Sequence, residues 1–395
     1  MNSVERREAR YQRRKARRAA KKRRALDGLD DFDRVFSYAH LYEAYRRSRR
    51  NVSWKASVQR YIVQAPLIVH DTHETLVRGK FTPTGFYEFD LCERGKLRHI
   101  RSVGIRERVV QRCLCDYCLV PALSRTFVYD NGASLKGKGY TFSMERMSEH
   151  LRRHYRKHGT EGYVLLFDLK GFFDSIPHQL VKDAIAKEIR DERLRRISGQ
   201  LIDAYDGDGG LGLGSQISQI LALSALSRLD HYIKERLRIK YYGRYMDDGY
   251  LIHTSKNYLR QCLAAIRRVC AELDVTLNER KTQIVRLSHG FTWLKVRHYL
   301  LPSGRVLRKP GRKSATRMRH RLKAFKRKAD AGAMTSEDAW RSLQSWRAYV
   351  SRLDAHRTIR ETERLCTSLF GPELQLSNDI ASAEFFANQR YGLTA

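Results

Sequence analysis

Three aspartates stand where chemistry would need them. Asp168 closes the short apolar run Gly162–Asp168, and Asp247 and Asp248 sit side by side within Ile239–His253, which reads as two short strands around a tight turn. A strand-end carboxylate facing one at a hairpin tip is what a two-metal site requires: two Mg2+ ions about 4 Å apart are bridged by carboxylates from different elements. One ion would lower the pKa of an attacking hydroxyl, and the other would neutralise a leaving pyrophosphate. An isolated Asp-Asp pair is more often an exposed turn, so the features around it must decide.

The elements that position these residues follow from the pattern. Gly162–Asp168 is a near-continuous apolar run, as expected of a buried strand. Ser175 and Pro177 predict an N-cap and an early-turn proline for the next helix. Gly207–Gly214 leads into a predicted helix over Ser218–Leu237, and Asp-Gly at 248–249 marks the hairpin turn. Helices are also predicted over Asp33–Arg60, Val103–Leu123, Asn257–Leu273 and from Ser314 onward, with short strands at Ile284–Leu287 and Phe291–Val296. Thr335 with Asp338 predicts a capping box, followed by an apolar face of Ala339, Leu343, Trp346, Val350 and Leu353.

The chain of 395 residues carries 77 Lys+Arg against 43 Asp+Glu, a net charge of +34, and its 42% apolar content is enough for a core. Met1–Arg24 and Arg305–Lys328 together contribute 22 of those excess charges. Such blocks fit a polyanion through counterion release rather than a membrane. No apolar run approaches the ~18 residues of a membrane span. Seven irregularly spaced cysteines fit a reducing compartment. Cys113, Cys115 and Cys118 read as core thiols, because a zinc site would need a fourth ligand that the neighbouring sequence does not offer.

The order of motifs resembles the palm of reverse transcriptases. "VLLFDLKGFFDSIPH" is similar to their first catalytic motif, "GLGLGSQISQ" to the template-and-nucleotide turn, and "YMDD" (Tyr245–Asp248) to their best-known tetrapeptide. "LNERKTQI" and "GFTWLK" follow as the lysine motif and primer grip, and "GKLRHIRSVGIRERVVQ" resembles the fingers segment. The likeness covers roughly residues 33–355.

The resemblance implies an α+β, right-hand polymerase fold, with fingers, an antiparallel palm sheet packed on helices, and a helical thumb. The expected division is a basic extension over 1–32, fingers with the first palm elements over 33–160, palm over 161–300, basic thumb over 301–370 and a tail over 371–395. It implies that Asp168, the carbonyl of Leu169, Asp247 and Asp248 form the metal centre for two Mg2+ (or Mn2+) ions, and that Lys281 protonates pyrophosphate. Arg98, Leu169, Phe173, Leu213, Gly214, Ser218 and Gln219 would bind nucleotide, with Phe173 as a steric gate against a ribose 2′-OH. Phe291, Trp293 and Leu294 would form the primer grip. Arg317, Arg319, Arg321 and Lys323 would track phosphates. The family's second fingers cation is Cys92 here, leaving Arg94 and Lys96 as candidates for that contact.

Leu213-Gly214 stands where many reverse transcriptases carry Gln-Gly, and with Ser218-Gln219 it resembles the enzymes of diversity-generating retroelements. Loss of an amide near the nucleotide removes a geometric check, and in that family it is linked to misincorporation opposite template adenines. The expected activity is RNA-directed DNA synthesis from dNTPs in a bacterial or phage-encoded cytoplasmic system. Expected partners are a template RNA, the RNA/DNA heteroduplex and a small basic accessory oligomer, with no membrane. An anti-phage reverse transcriptase is a different role for the same enzyme. Retrons are disfavoured because no Val-Thr-Gly stands near the C-terminus, and group II intron proteins by Leu213 and the short region after the thumb. An RNA-binding scaffold on an inactive palm and an RNA-dependent RNA polymerase complete the alternatives.

Overall fold

The computed structural model describes residues 3–93 and 95–371. Arg94, most of the expected tail and the side chain of Lys96 lie outside the described residues. The chain divides into two compact units. One joins the chain up to His150 with Leu165–Ile284, and the other joins Leu151–Val164 with the chain from Val285. The strands from Phe291 to Pro310 build a sheet of their own in the second unit.

In the first unit, Tyr87–Glu93 (β1) and Lys96–Ser102 (β2) form an antiparallel hairpin. Four strands make the central sheet: Tyr163–Phe167 (β3), Tyr241–Tyr245 (β4), Asp248–His253 (β5) and Gln283–Arg286 (β6), in the order β4-β5-β3-β6. Val164, Leu165, Leu166 and Phe167 are all buried, as a two-sided strand requires. Helices Ile105–Leu114, His178–Glu188, Gln216–Ala225 and Lys256–Glu272 supply apolar faces to this core. The expected α+β class is what the structure shows.

Several local expectations change. The helix over Ser218–Leu237 starts at Gln216, ends at Ala225 and resumes as a short helix and a π turn. Ser175 ends a four-residue helical turn, and Pro177 takes the N-cap position of His178–Glu188 without a side-chain cap bond. Proline's fixed φ serves there in place of a serine hydroxyl. Cys115–Leu119 is a π turn, and Cys113, Cys115 and Cys118 are buried free thiols whose pKa values burial raises. They pack as core groups.

In the second unit, Phe291–Trp293 (β7), Val296–Leu300 (β8) and Val306–Pro310 (β9) form an antiparallel sheet. The single strand expected over Phe291–Val296 is a hairpin, because Leu294 and Lys295 both have positive φ, at 46° and 66°. Two left-handed central residues give the turn that matches strand twist. The helices Lys313–Asp330, Ser336–Val350 and His356–Phe370 pack around Met318, Leu322, Trp340, Leu343 and Cys366. The Thr335–Asp338 capping box is present. Trp346 Nε1 donates to Ser314 Oγ, so both thumb tryptophans belong to the packed interior of these helices. No helix among the described residues is long and apolar enough to cross a membrane.

Candidate active site

The central sheet brings the three aspartates together. β3 and β5 are neighbours, and Gly249 lies so close to Phe167 that a Cβ there would stand 2.2 Å from the ring. Only glycine permits that approach. Asp168 and Asp248, the adjacent residues in the two segments, therefore meet, close enough for the Asp168 charge to act on the Asp248 carboxyl. Tyr245 pairs with Asp248, which makes Met246 and Asp247 the two-residue loop. The turn is thus two residues earlier than Asp-Gly suggested, and Met246 takes φ 53°, in the left-handed region that hairpin turns favour at this position.

The electrostatics are those of crowded negative charge. Asp168 is 4% exposed. Burial raises the pKa of Asp248 to about 7, helped by Asp247 and Asp168. Burial also raises Asp247, with Asp168 adding to it and Lys281 opposing. Like charges held together out of water favour protonation unless a cation joins them. The segment after Asp168 pairs with residues 276–278 through Lys170 N–H to Thr276 O and Asn278 N–H to Asp168 O. This places Asn278 Nδ2 at 3.1 Å and Lys281 Nζ at 2.6 Å from Asp168 Oδ2. Burial lowers the Lys281 pKa, but the hydrogen bond and charge of Asp168 outweigh it, and the ammonium is held protonated.

Among the described residues no three carboxylate, imidazole or thiolate groups already surround a common point as a metal cage. The Lys281 ammonium partners one oxygen of Asp168. The donor set is hard oxygen, the kind that divalent Mg2+ and Mn2+ prefer. Asp168, Asp247 and Asp248 fit such ions in number and chemistry.

The turn Gly210–Gly214 is hydrogen-bonded to the segment that follows Asp168. Leu211 N–H donates to Phe173 O and Gly210 N–H to Ile176 O. Phe172 is buried at 3%, whereas Phe173 is half-buried, so only the first of the pair belongs to the core. On the other side Arg101 N–H donates to Leu213 O. Gly214 has φ 124°, and a Cβ there would stand 3.1 Å from Arg101 O. Glycine is therefore required where β2 crosses the turn. Arg98 lies exposed on β2.

The expected nucleotide contacts have different surroundings. Ser218 is 1% exposed, and its Oγ donates to Leu211 O and meets Tyr205 Oη and Ser215 Oγ. Its side chain braces the turn from inside. Leu169 is buried, and its own peptide groups take no part in the bridge to Leu277. Gln219 is exposed, with its Oε1 accepting from Ser134 Oγ at 3.0 Å. In the second unit Phe291 and Trp293 are buried sheet residues, and Leu294 is the half-buried member at the hairpin tip.

The sequence reading missed Asn278, Ser134 and Arg244. Asn278 had a signal in its place three residues before Lys281 in the motif. Ser134 had none beyond the glycines around it in "DNGASLKGKG" (Asp130–Gly139). Arg244 was visible as a charge inside an otherwise apolar and aromatic strand.

Comparison with known proteins gives these residues a family. The reverse transcriptase (RNA-dependent DNA polymerase) family matches residues 95–298, and the chain belongs to it. Its relatives include the protein YkfC of Escherichia coli strain K12, 26% identical over 250 residues, which cover 51% of this chain and 62% of that one. The retron Ec48 reverse transcriptase of Escherichia coli is 30% identical over 130 residues, 32% of this chain and 31% of that protein. The chain thus matches less than two thirds of the length of either relative. A telomerase structure from Candida albicans aligns at a TM-score of 0.46 and 10% identity, covering 75% of this chain and 61% of that one. Reverse transcriptases work with divalent metal ions, and the family's fold is the right-hand polymerase.

Proposed function

We propose that the protein is an active RNA-directed DNA polymerase that adds dNTPs to a primer 3′-OH by two-metal catalysis. The observation that carries this reading is the meeting of Asp168, Asp247 and Asp248 from separate chain segments, with burial and like charge raising two of the three. Asp168, the Leu169 carbonyl and Asp247 would hold the ions, with Asp248 supporting them. Bound metal would activate the primer hydroxyl and neutralise the leaving pyrophosphate. Lys281 holds a proton beside Asp168, suited to the departing group, and half-buried Phe173 narrows the space for a ribose 2′-OH. The substrates are a template RNA, its heteroduplex and dNTPs, in a bacterial cytoplasm.

Asp247→Asn tests this reading. Incorporation should vanish while template RNA affinity stays near that of the parent protein. An RNA-binding scaffold predicts that neither changes. An RNA-dependent RNA polymerase predicts that NTPs outcompete dNTPs.

Leu213 supports the finer reading of a diversity-generating retroelement enzyme. It copies a template-repeat RNA with adenine-directed errors, aided by a small basic accessory oligomer. Sequencing of DNA made in vitro should show errors concentrated opposite adenines, and Leu213→Gln should reduce them. The similarity to the retron Ec48 enzyme favours a second reading, a retron-like or defence reverse transcriptase. Equal error rates at all four template bases would support that one.

A further inference from the structure

Arg244 and Asp230 are both 0% exposed at the side chain, one in β4 and the other on the short helix Ser227–His231. The pairing is a fork: Nε donates to Asp230 Oδ1 at 2.8 Å and Nη2 to Oδ2 at 2.6 Å, while Tyr242 Oη donates to the same Oδ1. A buried ion pair is a poor source of stability, because desolvation cancels much of the attraction, and well-packed apolar residues often do as well. Its geometry points to placement.

The remaining bonds of Arg244 show what is placed. Nη1 donates to Met246 O at 2.7 Å, the carbonyl immediately before Asp247. Nη2 reaches Leu223 O in the Gln216–Ala225 helix at 3.3 Å. Its backbone N–H donates to Asp130 O, and its carbonyl accepts from Gly132 N–H, both in the segment Asp130–Gly139. Met246 has a φ of 53°, a costly value for a side chain with Cβ, so the turn needs an external hold.

We propose that Arg244, clamped by Asp230, is a positioning residue that fixes the Met246–Asp247 turn and thereby aims the Asp247 carboxylate at its metal ion. This rests on the metal-binding reading of Asp247. Lysine cannot replace the arginine, because a single ammonium cannot match the carboxylate fork while also reaching Met246 O.

The test is a Mn2+ titration of the full chain with primer–template, read by electron paramagnetic resonance, beside thermal melting. Arg244→Lys keeps the charge balance and loses the clamp. A triple variant, Asp230→Leu with Tyr242→Phe and Arg244→Met, replaces the network by packed apolar groups. Both should bind Mn2+ about tenfold or more weakly, the range seen when groups supporting metal ligands are lost. Both should retain primer–template affinity. Parental Mn2+ affinity in either folded variant overturns the assignment. If the triple variant does not fold, Arg244→Lys decides alone. Asp247→Asn, run alongside, separates the two levels: unchanged Mn2+ affinity there defeats the carboxylate reading itself.

Discussion

Lys281 Nζ stands 2.6 Å from Asp168 Oδ2, so the residue expected to give a proton to pyrophosphate is held by the carboxylate expected to hold a metal. The two roles are compatible, because a carboxylate accepts at both oxygens, so Asp168 could hold a metal while Lys281 stays protonated beside it. Lys281→Ala should therefore slow single-turnover incorporation about 100-fold, the lower range for loss of a general acid, without changing the KM for dNTP. A rate within about twofold of the parent would reduce Lys281 to charge balance, whose worth at a half-exposed side chain is small.

The division of labour between Phe172 and Phe173 gives a second prediction. Phe172 is core and Phe173 is half-buried beside the Leu211 backbone. Phe173→Val should open space for a 2′-OH and raise the rNTP-to-dNTP incorporation ratio about tenfold to 100-fold, in line with a shape-based discrimination of 1–3 kcal/mol. Phe172→Val should instead lower thermal stability through a cavity and leave the ratio alone. Competition of rNTPs against dNTPs on one primer–template measures both.

Much of this site was legible in the sequence, because linear motifs encode it. Asp168 at the end of a buried run and Asp247-Asp248 in a hairpin are local patterns, and the sheet only had to place the strands side by side. What could not be read is relational. The Ser218 hydroxyl looks the same in sequence whether it faces a nucleotide or Leu211 O. Leu294 and Lys295 carry no Gly or Asn to announce a left-handed turn, so the hairpin there was hidden. The bond from Ser134 to Gln219 joins residues far apart in sequence, and no spacing rule reaches so far.

The basic helix Lys313–Asp330 is not uniform. Arg317, Arg321 and Lys323 are exposed, whereas Arg319 is half-buried and bonded to Glu361 at 2.8 Å. The run has no acidic residue of its own before Asp330, but the His356–Phe370 helix supplies one. Alanine at 317, 321 or 323 should each lower the slope of log K against log salt for RNA by about 1, the signature of one phosphate contact. Arg319→Ala should change it less. Equal slopes for all four would mean that the Arg319 pair opens on binding.

His298 supplies a prediction on stability. It is 0% exposed in β8, its ring stacks on Phe291 with centroids 5.4 Å apart, and neither ring nitrogen has a hydrogen-bond partner among the described residues. Burial lowers its pKa to about 3, and Arg308, its partner in the sheet register, adds to the shift. The folded protein thus keeps the ring neutral, while the unfolded chain takes a proton below about pH 6.5. Stability is present above that value and is lost as pH falls toward 3. At pH 4.5 the loss from this one group is about 2–3 kcal/mol by linkage. Urea midpoints measured at pH 7.5 and 4.5 should therefore move closer together in His298→Leu than in the parent, whatever the substitution does to stability at pH 7.5. An identical pH difference in the two proteins would show that the ring gains a proton partner inside the fold.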